Sequence, residues 1–357
     1  MREFTGGEFI VMGVPAETLD AETTKIIEHV QPSGFILFAR NIKSPQQLRA
    51  LTDSLRKLVK HEPIITIDQE GGRVSRLKEF MSEPPSARQL AQRGDKALIE
   101  KHGRLTGQLL RLFGFNVNLA PVLDVELNDA NDNSLGSRTY GRSAAEVIAN
   151  GTTFAEAMGR EGILCCGKHF PGYSAAKVDP HHSLPTVQKT REEMMEVEWV
   201  PFAACAPKLD LMMIGHVSYP KIDASGLPAT LSPYMVHEIV RDQLKFKGCT
   251  VTDDMDMGAI ANAYGSADAA ARALAAGNDI MLVCHNMKGV PEIAAALKTV
   301  PREIQEESFA RIEALRKRLA APTPFSMDAF KKLDEQVAEL RVATLGKEAK
   351  PVAAGRP

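Results

Sequence analysis

The sequence predicts a (β/α)8 barrel of the TIM type, and three features of the chain favour that fold. Eight short apolar runs alternate with longer amphipathic stretches, in which apolar residues recur at helical spacing. Runs that are apolar on both faces are typical of strands buried in a parallel sheet. Repeats spaced mostly about 30 to 50 residues apart favour a closed barrel, with an open doubly wound sheet as the alternative. No Gly-x-Gly-x-x-Gly follows the first run, so the dinucleotide fingerprint of such open sheets is absent.

The elements follow from these patterns in chain order. The predicted strands are Phe9–Val14, Gly34–Phe38, Ile64–Asp68, Val117–Leu123, Ile163–His169, Leu211–His216, Cys249–Asp253 and Asp279–Cys284. The predicted helices between them include Pro45–Lys60, Leu98–Phe113, Ala144–Gly159, Arg191–Cys205, Pro233–Leu244 and Ala267–Ala276. Two further helices, Arg302–Leu319 and Met327–Leu345, follow the eighth strand. We expect a catalytic barrel over residues 1–300, with residues 301–357 packed on it rather than forming a separate domain.

Composition and charge exclude several classes of protein. The chain has 357 residues, of which 44% are hydrophobic and 25% charged, so a core that needs no disulfide or metal is expected. Its 43 basic and 45 acidic residues argue against a nucleic-acid binder or a polybasic membrane anchor. No apolar run is long enough to span a membrane, and residues 1–15 lack a signal-peptide core. The five cysteines are odd in number, and we expect them to be buried free thiols. Free thiols are typical of a reducing compartment, so we expect a cytoplasmic protein.

Polar residues collect where the predicted strands end. Asp68 ends the third strand, Lys168 and His169 the fifth, His216 the sixth and Asp253 the seventh. A parallel barrel carries its chemistry at the carboxyl ends of its strands, so these side chains are expected to surround one site. For Asp253, the alternative is a helix N-cap, a role that we assign to Asp254 or Asp256. His216 could equally be a core histidine.

The segment Asp179-Pro180-His181 suggests acid–base chemistry. A carboxylate two residues from an imidazole can accept its N–H, fix its tautomer and raise its basicity. The alternative is an exposed polar loop, and spacing alone does not separate His181 from His182. Lys168 follows an apolar run, where burial is costly without an anionic or hydroxyl-rich partner. The sequence has no helix-borne histidine pair or acidic triad at metal spacing, so no metal site is expected.

Several motifs together resemble family 3 of the glycoside hydrolases, in its bacterial β-N-acetylglucosaminidase branch. The matching segments run in order over about residues 7 to 290. They are Gly34–Asn41, Ile67–Arg76, Ser134–Gly141, Lys168–Gly172, Asp179–His181, Pro228–Ser232, Val251–Met255 and Ala276–Asp279. The resemblance implies a (β/α)8 barrel that removes terminal β-linked N-acetylglucosamine, with muropeptide fragments from cell-wall turnover as the expected substrate. It implies no cofactor and no metal.

The resemblance also implies roles for individual residues. Asp253 matches the catalytic nucleophile, His181 the general acid/base and Asp179 its dyad partner. The positions expected to hold the sugar are Asp68, Arg76, Arg138, Lys168 and His169, with His216 near the sugar. The chain departs from the family pattern in one loop, because Tyr173-Ser174 replaces a His-Gly pair and Pro180 replaces a serine.

Other functions remain open at this point. The chain could act on another β-glycoside, or it could be a phosphorylase that uses phosphate in place of water. It could also be a barrel that binds sugar without cleaving it. The presence of Asp179, His181 and Asp253 argues against that last reading.

Overall fold

A closed barrel of eight parallel strands forms the centre of the computed structural model, which describes residues 3–127, 134–176 and 184–346. The strands are β1 (Ile10–Gly13), β2 (Gly34–Leu37), β3 (Ile64–Ile67), β4 (Gln69–Gly71), β5 (Val74–Ser75), β6 (Val117–Asn118), β7 (Leu164–Phe170), β8 (Leu211–Ile214), β9 (Cys249–Asp254) and β10 (Ile280–Val283). All but β4 and β5 belong to the barrel, where they pair in chain order, and β10 closes on β1 with Ile10 opposite Met281. The predicted fold class is confirmed, and each predicted strand has a counterpart in the barrel, although β6 covers only the first two residues of the predicted strand Val117–Leu123.

Helices surround the barrel and follow its strands. They are α1 (Ala21–Val30), α2 (Pro45–Leu58), α3 (Ala87–Arg93), α4 (Lys96–Leu112), α5 (Ala144–Arg160), α6 (Arg191–Glu196), α7 (Trp199–Cys205), α8 (Gly258–Tyr264), α9 (Ser266–Ala275), α10 (Val290–Leu297), α11 (Arg302–Arg316) and α12 (Met327–Leu345). A further helix, Tyr234–Gln243, has π-type hydrogen bonding. Side-chain caps define several starts, such as Ser143, which accepts from the backbone N–H of Glu146 at the beginning of α5.

The predicted helix Arg191–Cys205 is two helices, α6 and α7, with a break at Val197. Pro201 explains the break, because proline has no N–H to donate to the carbonyl of Val197 and its ring crowds that carbonyl. The expectation that Asp254 or Asp256 caps the next helix was wrong. Met257 stands at the N-cap of α8 without a side-chain cap. The two aspartates instead accept backbone N–H groups, including that of His285 after β10.

The strands are apolar because both faces of the sheet are covered, and every residue of β1, β2, β3, β8 and β10 is buried. Helix α11 packs against β9 and α9, and α12 packs against α2, α3 and α4. The division at residue 300 stays a prediction. Among the described residues, no helix combines the length and apolarity needed to cross a bilayer. All five cysteines are buried and free.

Candidate active site

A cavity of about 440 Å³ opens at the carboxyl ends of the barrel strands. This is the end at which parallel barrels carry their chemistry. Its lining includes four of the five residues predicted from the strand ends, which are Asp68, Lys168, His169 and Asp253. It also includes Arg76 and Arg138, which the resemblance implied. A second cavity, of about 480 Å³, lies at the start of β7 and β8. Its charged residues pair among themselves at the surface, as Lys208 does with Glu156, so we place the chemistry in the first cavity.

Asp253 lies near the end of β9, where its carboxylate faces the cavity. The backbone N–H of Asp254 donates to Oδ1 at 2.9 Å, and the hydroxyl of Tyr173 donates to Oδ2 at 3.0 Å. Burial alone would raise the pKa of Asp253. The imidazoles of His169 and His216 and the two hydrogen bonds outweigh it and lower that pKa from 3.8 to about 2. The carboxylate is therefore ionised and available as a nucleophile at neutral pH.

Lys168 projects from β7 into a pair of carboxylates. Its Nζ lies 2.7 Å from Oδ1 of Asp68 and 2.6 Å from Oε1 of Glu70. The lysine is only 1% exposed. Burial opposes its charge, but the two carboxylates raise its pKa above the usual value. The expectation that a buried lysine here requires an anionic partner is confirmed.

Arginines complete the charge network on either side of Lys168. Arg138, in a 3₁₀ turn at Gly136–Arg138, donates to both oxygens of Glu70 at 2.8 Å. Although burial opposes ionisation of Glu70, Arg138 and Lys168 hold its pKa well below the ordinary range. Arg76 lies 3.5 Å from Oδ2 of Asp68. Burial opposes ionisation of Asp68 as well, and Lys168 and Arg76 lower its pKa.

His169 is held in position by two neighbours. Its Nδ1 lies 2.8 Å from Oδ2 of Asp124, and its Nε2 lies 3.2 Å from an amino nitrogen of Arg138. A carboxylate only accepts, so Nδ1 donates a proton to Asp124. These contacts fix the ring at the cavity wall.

His216 lies behind the cavity wall. Its ring is fully buried, with Nδ1 2.7 Å from the hydroxyl of Thr230 and Nε2 2.9 Å from the carbonyl of Asp254. Since a carbonyl only accepts, Nε2 carries a proton and donates it. This contact fixes the backbone immediately after Asp253. The predicted proximity of His216 to the sugar stays a prediction.

Asp179 and His181, the predicted acid–base dyad, lie outside the described residues, as do His182 and Pro180. The described chain before them ends at Ala176, after Tyr173. The part of the chain that the structure describes has no group of three or more His, Cys, Asp or Glu side chains that could hold a metal ion.

Sequence reasoning missed three residues of this site, which are Glu70, Asp124 and Tyr173. Glu70 follows Asp68 by two positions and lies in the matching segment Ile67–Arg76, but no role was predicted for it. Asp124 directly follows the apolar run Val117–Leu123, where a carboxylate that becomes buried indicates a paired partner. Tyr173 marks the departure from the family pattern. No pattern in the sequence predicts its contact with Asp253, which lies 80 positions away.

Comparison with known proteins identifies the family of the chain. Residues 5–317 match the model of the Glycosyl hydrolase family 3 N terminal domain. A Beta-hexosaminidase from Pseudomonas aeruginosa is 34% identical over 304 residues, covering 83% of this chain and 89% of that protein. One from Methylococcus capsulatus is 36% identical over 301 residues, covering 83% and 88%.

Solved structures resemble the whole barrel. A family 3 β-N-acetylglucosaminidase from Paenibacillus sp. str. FPU-7 has a TM-score of 0.86 and 30% identity, covering 94% of this chain and 68% of that one. Native NagZ from Neisseria gonorrhoeae has a TM-score of 0.79 and 26% identity, covering 95% and 99%. The match to the family model spans most of the chain, and the relatives exceed 30% identity over most of their length. The chain therefore belongs to glycosyl hydrolase family 3 and is a glycoside hydrolase.

Proposed function

We propose that the protein is a retaining exo-glycosidase that removes terminal β-linked N-acetylglucosamine. The observation that carries the proposal is the ionised carboxylate of Asp253 at the end of β9, in a cavity that is also lined by paired charged side chains such as Asp68, Lys168 and Arg138. Retaining glycosidases need such a carboxylate to attack the anomeric carbon. The relatives are a β-hexosaminidase and a β-N-acetylglucosaminidase, and their names indicate the sugar that we propose.

The charge network around Lys168 is suited to hold a sugar. Each member already has a partner, as Lys168 has Asp68 and Arg138 has Glu70, so their positions are fixed before substrate arrives. A sugar hydroxyl both donates and accepts, and a site with adjacent carboxylates and cations satisfies both needs. We assign the binding of the terminal sugar to Asp68, Arg76, Arg138, Lys168 and His169, with His216 supporting the site from behind.

The reaction would proceed in two displacements. Asp253 attacks the anomeric carbon, the glycosidic bond breaks, and His181 gives its proton to the departing oxygen. His181 then takes a proton from water, which attacks the anomeric carbon and releases Asp253 as a carboxylate. Asp179 would stabilise the imidazolium that donates the first proton and that forms again when His181 takes a proton from water. No metal or cofactor is required by this scheme.

Muropeptide fragments from cell-wall turnover are the substrate that we propose, and the cytoplasm is the proposed location. Five buried cysteines without a disulfide are typical of a protein in a reducing compartment. We propose peptidoglycan recycling as the process in which this activity takes part.

Release of 4-nitrophenol from its β-N-acetylglucosaminide tests the reaction. We expect turnover by the wild type and a loss of about 10⁴-fold or more in Asp253→Ala, because the covalent step has no other nucleophile. Asp242→Ala, an exposed carboxylate change on the helix Tyr234–Gln243, should retain wild-type turnover. Turnover that survives in Asp253→Ala contradicts the assignment.

Azide separates the two proposed catalytic groups. In Asp253→Ala, azide can fill the space of the carboxylate and react by one displacement, giving the α-glycosyl azide. In His181→Ala it would attack the covalent intermediate and give the β-glycosyl azide. Unchanged hydrolysis of a poor leaving group by His181→Ala would remove that residue from the scheme. Formation of the sugar 1-phosphate in phosphate buffer would identify a phosphorylase instead.

A further inference from the structure

Tyr173 occupies the floor of the cavity beside the proposed nucleophile. The residue is 2% exposed, and its ring stacks on His169 with centroids 4.9 Å apart and an interplanar angle of 29°. Its hydroxyl lies 3.0 Å from Oδ2 of Asp253 and 2.9 Å from the backbone nitrogen of His216. The hydroxyl therefore joins the loop after β7 to the ends of β8 and β9.

The proton of this hydroxyl has a defined direction. The backbone N–H of His216 can only donate, so the tyrosine oxygen accepts there, and its own proton is left to point at Asp253. Burial and the neighbouring carboxylate of Asp253 raise the pKa of Tyr173 well above 10, so the proton stays on the phenol. Asp253 thus accepts a hydrogen bond from a phenol that stays protonated at the pH values at which the enzyme would work.

The backbone is shaped to admit the phenol. Gly215 follows β8, and a Cβ at that position would lie only 2.5 Å from the hydroxyl oxygen of Tyr173. Such an overlap is impossible for a fixed side chain, so a residue larger than glycine would displace the tyrosine. The absence of a side chain at Gly215 therefore leaves the space that the hydroxyl of Tyr173 occupies.

We propose that Tyr173 is a positioning residue for the nucleophile, whose hydroxyl orients Asp253 and stabilises its carboxylate as it leaves the sugar. The inference rests on the proposed function. In the second displacement, water attacks the anomeric carbon, the bond from that carbon to Asp253 breaks, and its electron pair returns to the carboxylate. The water proton goes to the general base, and Tyr173 keeps its own proton throughout. Its hydrogen bond strengthens as the charge on Asp253 develops, whichever carboxylate oxygen formed the ester.

Tyr173→Phe tests this role with the smallest change, because the stacked ring remains and only the donor is lost. With a dinitrophenyl β-N-acetylglucosaminide, the first step is fast and release of Asp253 limits turnover. We expect kcat to fall about ten- to a hundredfold, the range typical of a lost hydrogen bond to a charged group, with KM falling alongside it. A burst of dinitrophenol and a glycosyl adduct in the intact mass should appear, as the ester accumulates.

The pH profile gives an independent readout. The hydroxyl lowers the pKa of Asp253 by stabilising its charged form, so removing it should move the acid limb of kcat/KM to higher pH. Tyr140→Phe is the matched control, since Tyr140 is equally buried and its hydroxyl has no hydrogen-bond partner among the described residues. That variant should keep wild-type kcat, KM and pH profile.

Gly215→Ala displaces the phenol without altering Tyr173 and should show the same burst and the same shifted limb. A Tyr173→Phe enzyme with wild-type kcat, KM and pH profile overturns the inference and leaves the proposed function intact. An equal loss of kcat and kcat/KM, with no adduct and an unmoved acid limb, also overturns it. If wild-type protein releases no dinitrophenol, or Asp253→Ala keeps its rate, the proposed function itself fails.

Discussion

Lys168 shows how individual residues of the site depend on one another. Its ammonium group is buried with two carboxylates, and each carboxylate also faces an arginine, which gives the chain of contacts Arg76, Asp68, Lys168, Glu70 and Arg138. Removing one member of such a network leaves the others buried with unbalanced charge. Breaking a buried ion pair in this way costs about 3–5 kcal/mol, much more than a surface pair is worth.

We therefore expect Lys168→Met to lower the free energy of unfolding by about 3 kcal/mol, measured by urea denaturation at pH 7. Lys208→Met is the matched control, because Lys208 pairs with Glu156 where both side chains are about half exposed. The control should lose less than about 1 kcal/mol. Equal losses in the two variants would contradict the account of the network.

Sequence reasoning identified the residues of the site better than their pairings. Asp68, Lys168, His169 and Asp253 stand at strand ends, and the barrel geometry alone brings them to one mouth. The pairing of Arg138 with Glu70 joins positions 68 residues apart. No periodicity encodes such a choice, because it depends on how two loops fold over the same cavity.

At the scale of elements, strands were predictable and irregular segments were not. Strands β1, β2, β3, β8 and β10 are buried throughout, so their sequences are largely apolar and easy to recognise. The hairpin of β4 and β5 was not predicted, because its two strands are only three and two residues long and carry the polar Gln69 and Glu70. Gly71 and Gly72, with φ of 105° and 55°, turn that hairpin.

Helix α12 provides a prediction at this scale. Its Phe330 packs edge-on against Phe113 and Phe80, with ring centroids 5.7 and 5.5 Å apart. Phe330→Ala should lower the free energy of unfolding by about 3–5 kcal/mol through the cavity it leaves, whereas the exposed neighbour Lys331→Ala should change it by less than about 0.5 kcal/mol. If α12 belongs to the barrel, calorimetry should show one transition that shifts as a whole. Two transitions, only one of them moved by Phe330→Ala, would indicate a separate C-terminal domain.

At the scale of the whole molecule, pairings between strands that are distant in sequence close the barrel. The polar groups that the barrel and its helices bury then need hydrogen-bond partners within the protein. His102 on α4 is one of the exceptions to the rule of satisfied partners, since neither ring nitrogen has a hydrogen-bond partner among the described residues. It packs on Phe154 and lies directly behind Gly71, where a Cβ would come within 2.9 Å of its ring. Burial lowers the pKa of His102 from 6.5 to about 4, so the folded protein holds it neutral.

This single group should make the stability of the protein depend on pH. Between pH 6.5 and 4 the unfolded chain protonates His102 and the folded chain does not, so stability falls as the pH falls through that window. From pH 7 to pH 5 the loss due to His102 is about 2 kcal/mol. His102→Leu should remove about that much of the difference in urea unfolding free energy between the two pH values, while His29→Leu, on the exposed face of α1, should not. An unchanged pH dependence in His102→Leu would mean that His102 is protonated in the folded protein, and a polar partner would then have to lie beside Gly71.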